Sequence, residues 1–193
     1  GERGMWIKQC FWDWSAHVPM IASIPGASTG IRSSVITSLV DLLPTIIEIG
    51  NKDKKVFSGE FSGKSLVQFL KGNKDISESI AISDYYHIGP CVPTRMVRKG
   101  NFKLIYTHGH PNLLFDLKND PKELNNLSSN NKYQSTLDEL LSICFKGWNP
   151  DKINSDIIKS QKRRLMIKAV PGDSPDWDFL SQIGDDKRYV RKE

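Results

Sequence analysis

The sequence predicts an α/β chain whose second half is a small α+β subdomain built on an antiparallel sheet, with an extended carboxy-terminal tail. Three observations carry this. The apolar run from Val18 to Ile24, ended by Pro25-Gly26, has the continuous hydrophobicity of a strand buried on both faces. Between Ile80 and Leu117, strand-like segments follow one another at hairpin spacing. After Ala169 the apolar periodicity dissolves into turn residues around two aromatics, too little to build a core.

The elements follow in order. Ala27 to Ser34 is small and polar, a loop. Ser38 to Gly50 reads as a helix: a Ser or Asp caps its start, Pro44 is tolerated only in the first turn, and Gly50 suits the stop. Asn51 to Gly63 is a charged connection, after which Leu66, Phe69 and Leu70 mark one face of a short helix ended by Gly72. Ile80 to Tyr86 is a first strand. Arg95 to Arg98 and Phe102 to Tyr106 flank Lys99-Gly100-Asn101, a hairpin turn in which Gly100 can take positive φ. Leu113 to Leu117 completes an antiparallel meander. Tyr133, Leu137, Leu140, Leu141 and Cys144 fall at helical spacing with Gly147 as terminator. A second helix begins after Asn149-Pro150, with Ile153, Ile157 and Leu165 on one side. The expected organisation is residues 1–75, the end of an α/β domain; 76–147, the α+β subdomain; and 148–193, helix and tail.

Composition excludes little. The net charge of +5, from 27 basic against 22 acidic residues, suits an anionic substrate without requiring one. No stretch approaches the ~18 consecutive apolar residues of a membrane helix, so no membrane partner is expected. Three cysteines at wide spacing, Cys10, Cys91 and Cys144, form neither a metal pattern nor a disulfide framework. They read as free thiols in a reducing compartment, which favours the cytoplasm over the periplasm.

Four segments carry a resemblance. They are Gly1-Glu2-Arg3-Gly4-Met5-Trp6-Ile7-Lys8; Ser15-Ala16-His17-Val18-Pro19-Met20-Ile21; Ser38-Leu39-Val40-Asp41-Leu42-Leu43-Pro44-Thr45; and Leu114-Phe115-Asp116-Leu117, continuing through Asp120-Pro121 and Glu123 to Asn126-Leu127. In that order and spacing they resemble the sulfatase family. The tail is similar to choline-sulfatase-like members, through Gln161 to Leu165, Pro175 to Phe179 and Lys187 to Arg191. The resemblance implies the carboxy-terminal part of an alkaline-phosphatase-like catalytic domain, joined to the α+β subdomain. It implies a parent enzyme that cleaves a sulfate ester to an alcohol and inorganic sulfate, using calcium and formylglycine supplied by residues other than these. The 193 residues alone are therefore expected to bind neither and to be inactive. It further implies a homo-oligomer contacted through the tail, and a role for Lys8 against the sulfate group. Two departures stand out. His17 replaces the family's usual Arg. Ile88 replaces the second acid of the segment that here reads Asp84-Tyr85-Tyr86-His87-Ile88-Gly89, which argues against choline itself because an apolar side chain offers a quaternary ammonium no charge.

Lys8 is the candidate catalytic and substrate-binding residue, a compact ammonium able to stabilise negative charge on sulfate oxygens. Asp84 is a second candidate substrate-binding residue. Metal ligands are expected to be absent. Glu2 and Arg3 suit an ion pair that orients a metal-binding turn. Trp6, Phe11, Trp12 and Trp14 fit either a pocket for an organic or cationic substrate or ordinary core packing. Cys91-Val92-Pro93-Thr94-Arg95 matches the family's Cys-x-Pro-x-Arg formylglycine pattern letter for letter, but it lies after the metal turn instead of before it, so it reads as coincidence. His87, His108 and His110 have no acidic ligand at useful spacing and read as solvated. The basic run Lys159, Lys162, Arg163, Arg164 and Lys168 lacks interleaved aromatics, so no nucleic-acid partner is expected.

Overall fold

The computed structural model describes residues 4, 6, 8–50, 61–72, 79–86 and 91–170. The chain divides into two compact units, Gly1–Asn154 and Ser155–Glu193.

The first unit is organised by a four-stranded meander: β1 Ile80–Tyr85, β2 Thr94–Lys99, β3 Phe102–Thr107 and β4 Leu113–Asp116, in that spatial order. Every neighbouring pair is antiparallel. The β2–β3 hairpin turns at Gly100, whose φ of 55° is open to glycine at little cost. Register then sorts side chains onto two faces. Val97 pairs with Leu104 and Leu104 with Leu114, placing these three on one face. Met96 pairs with Ile105, and Phe115 with Lys103, on the other.

Both faces of β2, β3 and β4 are covered, so these three strands lack the apolar–polar alternation of a half-exposed sheet, while the edge strand β1 stays partly exposed. Helix α4, Gln134–Phe145, lays Leu137, Leu140 and Cys144 against Val97, Leu104 and Leu114, and Trp148 joins the same cluster. A one-turn helix, α1 Asp13–Ala16, and the residue pair before it cover the opposite face: Phe11 is buried with Met96, Ile105, Phe115 and Leu117. Trp12 packs on Phe115 with ring centroids 5.2 Å apart.

Helix α2, Leu42–Gly50, follows a 3-10 turn at Leu39–Asp41. Ser38 and Asp41 form a capping box in which the Asp41 carboxylate also accepts the Lys64 N–H at 2.8 Å. Thr45 accepts the Leu66 N–H at 2.9 Å, tying α2 to α3, Val67–Leu70. The expected strand at Val18–Ile24 does not form. Residues 17–24 are irregular and mostly exposed, with Ile21 98% exposed. A strand needs a hydrogen-bonding neighbour, and the one sheet among the described residues lies wholly within Ile80–Asp116.

Helix α5, Pro150–Lys168, begins where Asn149 accepts the Lys152 N–H at 2.9 Å, as the Asn-Pro start predicts. Ile153 packs on the core of the first unit. In the second unit, residues 155–168 continue helical, and Leu165, Met166 and Ile167 are exposed. No helix among the described residues is long and apolar enough to cross a membrane. The expected tail motifs from Pro175 onward, and Glu2, Arg3, His87 and Ile88, lie outside the described residues.

Candidate functional site

Lys8 is exposed, three residues ahead of the buried Phe11. Just after it, residues 11–16 dock on the sheet through Phe11, Trp12 and Ala16. There, a charged cluster sits beside the Phe11 core. The Lys103 ammonium, on β3, lies 2.5 Å from Asp13 Oδ1 and 2.5 Å from Glu123 Oε1. The Lys103 side chain is only 1% exposed. Glu123 Oε2 also accepts the backbone N–H of Asp13 at 2.8 Å, and Arg98 approaches Asp13 at 3.6 Å.

Glu123 is the one non-glycine with positive φ among the described residues, at 55°. That conformation costs roughly 1–2 kcal/mol and persists only where the surroundings impose it. Here a turn imposes it: Glu123 N–H bonds to the Asp120 carbonyl and Asp120 Oδ2 accepts the Asn125 N–H at 2.7 Å. The rest of the Leu114–Leu127 signature serves the same loop. Asn126 Oδ1 accepts the N–H groups of Leu114 and Ser128, and Leu127 N–H bonds the Leu114 carbonyl. Asp116 accepts from the Asn119 side chain at 2.7 Å. The most recognisable motif in the sequence is therefore a scaffold that aims one carboxylate at Lys103.

Asp84 belongs to a separate network on the α4 side. Its two oxygens take Arg95 Nε at 2.5 Å and Nη2 at 2.7 Å, and Oδ2 also accepts the Tyr86 hydroxyl at 2.8 Å. Trp148 Nε1 donates to that hydroxyl at 2.6 Å, while the Arg95 guanidinium lies 4.5 Å from the Trp148 ring centroid. The remaining Arg95 arm donates to the Cys144 carbonyl at 2.9 Å, near the end of α4. Burial works against the Arg95 charge, but the Asp84 hydrogen bond and charge outweigh it and raise its pKa. Burial likewise raises Tyr86, opposed by the Trp148 bond and reinforced by Asp84. The carboxylate thus already serves three internal donors.

Burial pushes the Cys144 thiol up to about 11, with Arg95 pulling it down and Asp84 pushing it up. It is an inert thiol at neutral pH. In the unfolded chain it ionises near its ordinary 9.0. The proton is held more tightly in the folded state, so its contribution is complete below pH 9 and lost as pH rises towards 11. The expected loss is ~2–3 kcal/mol. Urea unfolding at pH 8 and pH 11 of the chain and of Cys144→Ala checks this. The variant, less stable at both, should lose less of its stability between them.

Cys10, Cys91 and Cys144 are all free, and Cys91 is exposed. In the Cys91–Arg95 stretch, Pro93 is buried and Arg95 is committed to Asp84. His108 contacts Asp151 at 3.4 Å and the Tyr106 hydroxyl at 3.4 Å. Of the four expected aromatics, Phe11 is buried and Trp12 half-buried, while Trp6 and Trp14 are exposed. Among the described residues, no three His, Cys, Asp or Glu side chains converge as a metal site. Asp13 and Glu123, the carboxylates that do converge, hold an ammonium instead. The described residues do not fit a calcium ion.

Sequence reasoning missed Lys103, Asp13 and the Arg95–Trp148 contact. The available signal was Lys103 itself, a charge inside the apolar run Phe102–Tyr106.

Comparison with known proteins gives the wider setting. Residues 1–144 match the family described as N-sulphoglucosamine sulphohydrolase, C-terminal. The chain is 29% identical over 196 residues to the choline-sulfatase of Rhizobium meliloti (strain 1021), covering 99% of this chain and 38% of that protein. It is 32% identical over 138 residues to arylsulfatase K of Xenopus laevis, covering 66% of this chain and 25% of that protein. The phosphonate monoester hydrolase of Silicibacter pomeroyi shares the fold, with a TM-score of 0.52 at 20% identity over 81% of this chain and 31% of that one. In each case the chain spans well under half of the relative's length. With the family matched over three quarters of its residues, the chain belongs to the N-sulphoglucosamine sulphohydrolase C-terminal family, as a carboxy-terminal sulfatase-like domain of the alkaline-phosphatase superfamily.

Proposed function

We propose that this chain is the carboxy-terminal part of a choline-sulfatase-like sulfuric ester hydrolase, which releases an alcohol and inorganic sulfate. One observation carries the choice. The likeness to the Rhizobium meliloti choline-sulfatase covers 99% of the chain, beyond residue 144 where the family match ends. In this reading residues 1–75 close the catalytic domain, residues 76–147 form the α+β subdomain, and residues 148–193 reach a second copy in a homo-oligomer. Calcium and formylglycine belong to residues other than these, and the three free thiols favour a cytoplasmic setting.

Lys8 is assigned to the sulfate group. A fixed ammonium stabilises the charge that builds on sulfate oxygens as the ester bond breaks. Its exposed side chain leaves it available to an anion. The alcohol is small and is not choline if Ile88 stands where an acid would face the quaternary ammonium. In the complete protein, Lys8→Ala is expected to lower kcat/KM for an aryl sulfate about 10²–10³-fold. Turnover of an aryl phosphonate above that of the aryl sulfate would move the assignment to the phosphonate monoester hydrolases of the same superfamily. Failure of the complete protein to turn over either ester would leave a non-catalytic assembly module as the answer.

A further inference from the structure

Apolar packing holds a segment down without fixing where along the surface it rests. Phe11 and Trp12 could shift along the sheet face at modest cost, because dispersion and burial are non-directional. The charged cluster beside them cannot slide. Lys103 sits 2.5 Å from both Asp13 and Glu123: the ammonium holds the Asp13 side chain, while Glu123 Oε2 accepts the Asp13 main-chain N–H at 2.8 Å. Displacing the segment would break directional bonds to a charge with almost no access to water. Buried ion clusters of this kind add little net stability over apolar replacements, and their attested use is to fix register.

We propose that Lys103, clasped between Asp13 and Glu123, is a positioning residue that fixes the Lys8-bearing segment against the sheet and so sets where the Lys8 ammonium stands. Lys8 is only three residues from Phe11, so its Cα stays within about 10 Å of that anchor. The loop that supplies Glu123 acts through this contact. This rests on the reading of Lys8 as the sulfate-contacting group.

The test uses the complete protein carrying Lys103→Met with Glu123→Gln, which removes both charges while keeping side-chain volume and the acceptor for Asp13 N–H. Hydrogen exchange of amides 8–17 is expected to rise at least tenfold, with β2, β3 and β4 unchanged. Turnover of an aryl sulfate is expected to fall through kcat more than KM, and adding the pair to Lys8→Ala should cost nothing further. Unchanged exchange over residues 8–17, or a rise shared equally by the sheet, overturns the proposal. So does a loss of turnover that multiplies with that of Lys8→Ala. If Lys8→Ala proves harmless, the reading of Lys8 fails while the exchange result still decides whether the clasp exists. Asp13→Asn, which removes the carboxylate that ties the segment to Lys103 and leaves the sheet and Glu123 untouched, serves if the paired variant does not fold, with the same outcomes.

Discussion

Lys103→Ala is expected to destabilise the fold by ~3–5 kcal/mol, enough to lower Tm by roughly 10 °C or more. The deleted stem contributes a cavity beside Phe115, its cross-strand neighbour. The larger part comes from what remains. Glu123, 2% exposed, would lose the ammonium that lies 2.5 Å from its Oε1. Leaving one member of a buried pair uncompensated costs more than the pair contributes, because desolvation has already been suffered and the attraction no longer offsets it. The paired replacement Lys103→Met with Glu123→Gln should therefore be more stable than Lys103→Ala, despite altering two residues. Thermal unfolding of both variants checks the ordering. Equal losses would mean that neither the cavity nor the Glu123 charge sets the cost, which would then lie in the bond to Asp13 that both variants lose.

Much of the scaffold was legible in the sequence because it is specified locally. Lys99-Gly100-Asn101 predicts the β2–β3 hairpin from backbone freedom at one residue, and the turn is found there. Leu137, Leu140 and Cys144 predict the buried face of α4 from spacing alone. Asn149-Pro150 predicts where α5 starts. Local rules fail where the answer depends on a distant partner. Val18–Ile24 has a strand's composition, yet composition cannot supply the neighbour that receives its N–H groups. Lys103 looks like a solvated strand residue until the far face of the sheet is known to be covered by residues ninety positions earlier. Asp84 reads as an available acid until β-pairing sets it opposite Arg95. Recognition of the Leu114–Leu127 signature located the family without showing what the signature does, since its side chains bond mainly to backbone groups and to Lys103.

Arg95→Lys is expected to cost roughly 2–4 kcal/mol, although it keeps the charge. The guanidinium makes a two-pronged bond to Asp84, caps the Cys144 carbonyl with its third arm, and stacks over Trp148. These need a planar fork, and a lysine ammonium reaches at most part of the set from one point. Asp84 is about a third exposed, so water tempers the loss at that end. The Cys144 carbonyl and the Trp148 face lie in the core cluster, where nothing replaces the lost donor. Since Tyr86 bridges Trp148 and Asp84, the effect should travel to the indole. An NMR spectrum should show the Trp148 Nε1–H resonance shifting in Arg95→Lys and in Asp84→Asn. Thermal unfolding of the two single variants and the double should reveal a coupling of at least about 1 kcal/mol. Additive losses would mean that Asp84 and Arg95 act separately, leaving Asp84 open to an outside cation after all.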